Sequence, residues 1–213
     1  MRRALPLIAM ALVLTGCALP INGAAPATIP SGTVLFKDDF ASPSSGWDRT
    51  TYPEGTMDYD GGAYRIFVTA LEANFWSAPH RQFGDARVEV DAGKLGGPDA
   101  NRLGLICRAD AKGYYFFIVT SDGFYGLGTF QDGTATLMGH TEMQSSGAIK
   151  TGAAINHLRM DCSGNRLSGF VNGKPVAEVQ GATRTHGDVG VLAGTFDQPG
   201  VDIVFDNFAV LQP

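Results

Sequence analysis

The chain has 213 residues, with 16 Lys and Arg against 21 Asp and Glu and a formal net charge of −5. An acidic chain whose basic residues are scattered carries no electrostatic footprint for nucleic acid, so that class of partner is excluded. Charged residues make up only 17%, whereas 28 residues are glycine. That balance suits an all-β domain with many turns, because glycine supplies positive φ where strands reverse.

In chain order, Arg2 and Arg3 are followed by an apolar run from Leu5 to Leu14, broken only by Pro6. At about ten residues it is half of the roughly twenty needed to span a hydrocarbon core. It ends in Leu14-Thr15-Gly16-Cys17. This stretch resembles the lipobox of bacterial lipoprotein signals, in which the Cys thiol is acylated and the chain is cut before it. The resemblance implies a signal peptide over 1–16, a lipid-bearing Cys17, and a place in the cell envelope, facing outside the cytoplasm. Ala18, rather than Asp, after the cysteine implies the outer membrane where a cell has two. No other stretch is long and apolar enough to cross a membrane, so membrane contact is expected through the lipid alone. Cleavage leaves roughly 200 residues, within the range of one large domain. Residues 18–33, rich in Ala, Pro, Thr, Gly and Ser, lack hydrophobic periodicity and read with Cys17 as a flexible tether over 17–33.

From Val34 onward short apolar runs alternate with turn signals, and no helical period is sustained. Strands are expected near 34–40, 63–69, 73–78, 84–92, 101–109, 113–120, 123–130, 134–140, 154–162, 165–172, 174–179, 187–195 and 201–210. Asp60-Gly61-Gly62, Ser121-Asp122-Gly123, Gln131-Asp132-Gly133 and Asn172-Gly173 mark hairpin-like turns between them. This many short strands imply an antiparallel two-sheet sandwich over 34–211. Alternation sets facing: Val88 and Val90, then Leu103, Leu105 and Cys107, then Leu158, Met160 and Cys162 point inward. Arg87, Glu89 and Asp91, then Arg102, Gly104, Ile106 and Arg108, then His157, Arg159 and Asp161 point out. Residues 114–119 are apolar in both phases, so that strand is either covered on both sides or lines a groove.

Several stretches now point to one family. They are Val34-Leu35-Phe36-Lys37-Asp38-Asp39-Phe40 with Gly46-Trp47; Gly113-Tyr114-Tyr115-Phe116-Phe117; Leu167 to Val179 around Asn172-Gly173; Gly187-Asp188-Val189-Gly190-Val191; and Phe205-Asp206-Asn207-Phe208. Together they resemble the concanavalin A-like (laminin G-like) jelly-roll domains of bacterial exported proteins. These include the 3-keto-disaccharide hydrolase-type domain, related in fold to family 16 glycoside hydrolases. The resemblance implies an all-β jelly roll of two antiparallel sheets. It leaves function open, because this sandwich hosts lectins, hydrolases and adhesive modules.

The residues admit three chemistries. Family 16 enzymes carry Glu-x-Asp-x-x-Glu, whose two Glu flank a glycosidic bond. The nearest match here is Glu89-Val90-Asp91-Ala92-Gly93-Lys94, with Lys in place of the third acid, which reads better as a solvent-facing strand of alternating charge. Sugar recognition needs aromatic platforms beside polar groups. Trp76, Tyr114, Phe116 and Tyr125 are candidate platforms, and Glu89, Asn101, Arg102 and Arg108 candidate polar partners. Gly104, Gly126 and Gly128 would keep the surface between them low. Trp47 reads as a packing residue. Asp39 and Asp206, beside Asp38 and Asn207, form a candidate calcium pair if the first and last strands are neighbours. The alternative is turn and edge acids without an ion. The favoured reading is therefore a non-catalytic domain recognising carbohydrate or a cell-surface polymer, with the outer face of an 84–130 meander as its ligand surface. The rivals are a glycoside hydrolase or lyase of the 3-keto-disaccharide type and an adhesive module without a small ligand. Finally, lipidation of Cys17 leaves two thiols in an exported chain, so Cys107 and Cys162 are expected to form a disulfide rather than stay two buried thiols.

Overall fold

The computed structural model describes residues 29–213. The signal over 1–16, Cys17 and most of the tether lie outside the described residues. Among those described there is no helix; the elements are seventeen strands.

The larger sheet has nine strands. Its order is β15 (Lys174–Gln180), β14 (Arg166–Val171), β13 (Asn156–Ser163), β7 (Ala86–Gly96), β17 (Val201–Leu211), β4 (Ala63–Val68), β3 (Gly55–Asp60) and β2 (Thr50–Tyr52). β1 (Val34–Asp38) joins β17 at residues 208–211, beyond the 201–205 stretch that pairs with β4. The smaller sheet has eight strands. Its order is β11 (Thr134–Leu137), β10 (Phe124–Gln131), β9 (Gly113–Val119), β8 (Asn101–Asp110), β16 (Gly187–Thr195) and β5 (Asn74–Ser77). β12 (Gln144–Ser145) pairs with β10, and β6 (Gln82–Phe83) with β16. The pairings are antiparallel, and the two sheets stack as a jelly-roll sandwich.

Period-2 patterning built this interior. Val88 and Val90 of β7, Leu105 and Cys107 of β8, Phe117 of β9 and Leu158 and Met160 of β13 are fully buried between the sheets. Fully burying one such aliphatic or aromatic side chain contributes about 1.5–3 kcal/mol. The packing is close enough to dictate glycine: a Cβ at Gly169 on β14 would lie 2.5 Å from the Phe117 ring. The Phe40, Trp47, Tyr64 and Phe208 rings close one end of the core, with centroids 4.8–5.5 Å apart. Asp38 ties this cluster to β1, accepting from the Phe40 amide at 2.8 Å and from Trp47 Nε1 at 2.9 Å.

Each strand expected from alternation is present, and β2, β3, β6 and β12 are added. Along β3 only Met57 and Tyr59 give an inward apolar phase between Thr56, Asp58 and Asp60, too weak a period to mark a strand. Two placements correct the sequence reading. The 84–130 segment is not one meander: the chain crosses between the sheets after Gly96, so β7 lies in one sheet and β8 to β10 in the other. Alternation says which residues point inward, but not which sheet they leave from. In addition, β8 bulges between Cys107 and Asp110, and Arg108 takes φ 52°. The bulge turns Arg108 out of the outward phase, and its side chain is 1% exposed.

Candidate functional site

The outer face of the smaller sheet is apolar where an outer face is ordinarily polar. Ile106, Ala109, Tyr114, Phe116, Ile118 and Leu192 form a second buried cluster there, joined by Phe130, Leu137 and Met143. The cause is the double phase of β9: Tyr115, Phe117 and Val119 enter the main core, while Tyr114, Phe116 and Ile118 face the other way. Glycines keep the face low. A Cβ at Gly128 would lie 2.5 Å from the Phe116 ring, and one at Gly126 2.8 Å from Leu137 Cδ2. The result is a cleft of about 560 Å³ running across the strands, within the range of ligand pockets.

Aromatic and charged groups line it. Tyr114 and Phe130 stack at 5.1 Å and 16°, and Trp76 tilts against Tyr114 at 5.7 Å. Trp76 is 36% exposed. Beyond that ridge lies a second depression of about 320 Å³, bordered by Trp76, Asp110, Lys112, Tyr114, Phe130 and Asp132. Burial pushes the Tyr114 phenol up to about 12. Arg102 enters the main cleft from β8. Its guanidinium lies 4.0 Å from the centre of the Phe196 ring and donates to Asn74 Oδ1 at 3.0 Å. Among the described residues it makes no other side-chain hydrogen bond and no salt bridge. Burial lowers its pKa, against the pull of nearby Glu72. Glu72 and Asp197 stand exposed on the same rim.

Four of the sequence-predicted residues therefore meet on this face: Arg102, Tyr114 and Phe116 line the cleft, and Trp76 borders the adjoining depression against Tyr114. The others do not. Tyr125 is on the inner side of β10, packed against the main core. Asn101 is buried, donating to Pro98 O and Ser121 Oγ at 2.8 and 2.9 Å. Arg108 donates to Gly164 O, Arg184 O and Asp85 Oδ1 at 2.6–2.9 Å and is structural. Sequence reasoning missed Asn74 and Phe130, which carry no signal beyond strand position, and Phe196, which follows the end of β16.

Glu89 and Asp91 lie on the outer face of the larger sheet, opposite partners on β13. Register sets Arg87 against Asp161, Glu89 against Arg159 and Asp91 against His157. Opposite charges directly across an antiparallel pair stabilise it by roughly 0.2–1 kcal/mol. His157 Nδ1 is 2.8 Å from Asp91 Oδ1, and its Nε2 is 3.8 Å from Glu89 Oε2. Arg159 lies over the Phe170 ring and bonds Asp161. The acidic strand is one side of a charge ladder, remote from the cleft. Lys94 bonds Asp99 and Gly97 O.

β1 and β17 are neighbours, as the candidate calcium pair requires. The Asp39 carboxylate accepts from the Ala41 amide and that of Asp206 from the Asn207 amide. Among the described residues no group of three or more His, Cys, Asp or Glu comes together to hold a metal. Nor does His80 form a nucleophile–base pair. It bonds Asp48 at 3.0 Å, while the buried Ser77 hydroxyl accepts from the Tyr64 phenol at 2.7 Å.

No protein-family model matches the chain, and no curated protein matches it in sequence. Solved structures do match in fold. The carbohydrate-binding module CBM66 of Bacillus subtilis superposes with a TM-score of 0.63 at 17% identity, over 78% of this chain and 95% of that one. A Bacillus licheniformis β-glucanase gives 0.60 at 10%, over 86% and 100%. A Bacteroides ovatus GH16 protein in complex with its G4G4G3G product gives 0.59 at 13%, over 84% and 100%. The chain thus has the concanavalin A-like, GH16-like jelly-roll fold.

Proposed function

We propose that this protein is a non-catalytic carbohydrate-recognising domain, held at the cell envelope by a lipid on Cys17, and that the cleft of the smaller sheet is its binding surface. One observation carries the reading: an aromatic ridge and a guanidinium free of any carboxylate partner among the described residues share one open cleft. Sugars present flat apolar faces ringed by hydroxyls, and this pairing suits both parts. The fold neighbours include a carbohydrate-binding module and a product-bound GH16 protein, which favours the same ligand class. A non-catalytic role is favoured over a hydrolase of family 16 type because Glu89 and Asp91, the nearest match to its acids, belong to the ladder on the opposite sheet.

The test is a glycan array with the mature protein, followed by calorimetry on whichever glycan it retains. A hydrogen bond to a charged group contributes about 1.5–3 kcal/mol. Arg102→Ala is therefore expected to weaken binding about 10- to 100-fold, and Trp76→Ala to weaken it too. Glu89→Ala is expected to leave affinity unchanged. Unchanged affinity in both cleft variants, with the fold intact, moves the site elsewhere.

The anchor has its own test. Cys17→Ala is expected to leave the precursor uncut or to release the protein from membranes. Mass spectrometry finding an unmodified mature N-terminus within 22–27 contradicts lipidation.

A further inference from the structure

The two ends of the cleft differ in chemistry. The sheet order runs β11, β10, β9, β8, β16, β5, and the cleft is lined from both edges. On the β16 and β5 side stand Glu72, Asn74, Arg102 and Asp197. On the β9 to β11 side the lining is Tyr114, Phe116, Ile118, Ala135, Leu137 and Met143, with no charged group; its one hydrogen-bonding side chain is the Tyr114 phenol, and beyond it only apolar side chains remain. Five interstrand steps make the whole span roughly 24 Å, longer than one sugar ring.

An all-saccharide ligand does not match that asymmetry. Hydroxyls laid over Ile118, Leu137 and Met143 would leave water and find no side-chain partner, which costs free energy. An alkyl chain in the same place loses nothing and removes apolar surface from water on both sides. At the other end the Arg102 guanidinium spends one N–H on Asn74, and its remaining N–H groups complement oxygen atoms of a ligand.

We infer that the ligand is an amphiphile: a saccharide head seated at Arg102 and Asn74, bearing an acyl or alkyl chain that lies across Phe116 and Ile118 towards Leu137 and Met143. This inference rests on the cleft being the saccharide site and specifies what that saccharide carries.

Calorimetry with n-alkyl β-D-glucosides from methyl to octyl, below micelle-forming concentrations and with 1-octanol as the headless probe, tests it. Affinity is expected to rise about fourfold per added methylene, which corresponds to ~0.8 kcal/mol. Octyl glucoside is expected to bind more tightly than 1-octanol. Leu137→Glu is expected to flatten the chain-length dependence and leave methyl glucoside unaffected, while Arg102→Ala weakens every glucoside by a similar factor. Met143→Glu is a second apolar-end variant should the first unfold, and the wild-type series needs neither. Methyl and octyl glucoside binding equally would overturn the amphiphile and leave the saccharide reading standing. Octanol binding as tightly as octyl glucoside would overturn both. Failure of every glucoside to bind, or a chain-length dependence that persists in both apolar-end variants, would overturn the inference as well.

Discussion

Replacing Cys107 and Cys162 together by Ala is expected to cost the domain about 4 kcal/mol of stability. The bond joins β8 of the smaller sheet to β13 of the larger, with the Cα atoms 6.8 Å apart and 55 positions between the residues in sequence. Closing a loop of that length removes chain entropy from the unfolded state, and the chain-entropy relation gives about 4 kcal/mol. For a domain of this size that lowers Tm by about 8–16 °C. Because the disulfide ties the two sheets rather than two strands of one, local contacts cannot replace it. The measurement is urea unfolding of a Cys17→Ala chain with and without the further pair of substitutions. The pairing itself is checked by thiol titration of the unfolded, unreduced Cys17→Ala chain. No thiol before reductant and two after it are expected; two before would contradict the bond.

Arg108→Met is expected to be the most damaging single change outside the hydrophobic core, at roughly 3 kcal/mol. The guanidinium is buried and donates to the carbonyls of Gly164 and Arg184 at 2.8 and 2.6 Å. Charge-assisted hydrogen bonds contribute about 1.5–3 kcal/mol each, and an abandoned buried carbonyl adds its own desolvation cost. The Asp85 contact at 2.9 Å adds little to that sum, because the Asp85 side chain is 45% exposed and solvent screens the pair. Asp85→Asn is accordingly expected to cost under about 1 kcal/mol. Arg108→Lys is not expected to rescue, since one ammonium lacks the planar fork that reaches carbonyls on two separate turns. Denaturation midpoints check the stability claim. Ligand calorimetry separates it from a binding role: Arg108→Met is expected to unfold more easily yet bind normally while folded. A stable Arg108→Met with weakened binding would return Arg108 to the ligand site.

Cys107 and Arg108 are neighbours in sequence with one structural purpose, and only half of it was legible. The inward phase of Cys107 follows from Leu103 and Leu105. The same alternation sends Arg108 outward, because a bulge leaves no trace in a period of two: its signature is a left-handed φ at one residue. Glu89 illustrates a different loss. Its outward direction is correct, but direction does not say from which of two stacked sheets a strand projects, so Glu89 and Arg102 were expected on one face and lie on opposite ones. The cleft was partly readable because β9 breaks the rule that one phase is polar. Tyr114, Phe116 and Ile118 had to meet either a covering layer or a groove; the structure shows both, since all three are nearly fully covered by neighbours such as Phe130, Leu137 and Met143 and also form part of the cleft floor. Asn74 and Phe196 were unreadable, since they reach Arg102 only through the pairing of β5, β16 and β8.

The proposed ligand surface is the outer face of the smaller sheet. Amide and side-chain NMR shifts, followed while the glycan retained from the array is titrated into the labelled mature domain, test it most directly. The largest perturbations are expected on Trp76, Arg102, Tyr114, Phe130 and their strand neighbours, with β7 and β13 silent. Perturbations centred on Glu89, Asp91 and His157, with Trp76 and Arg102 unmoved, would contradict it.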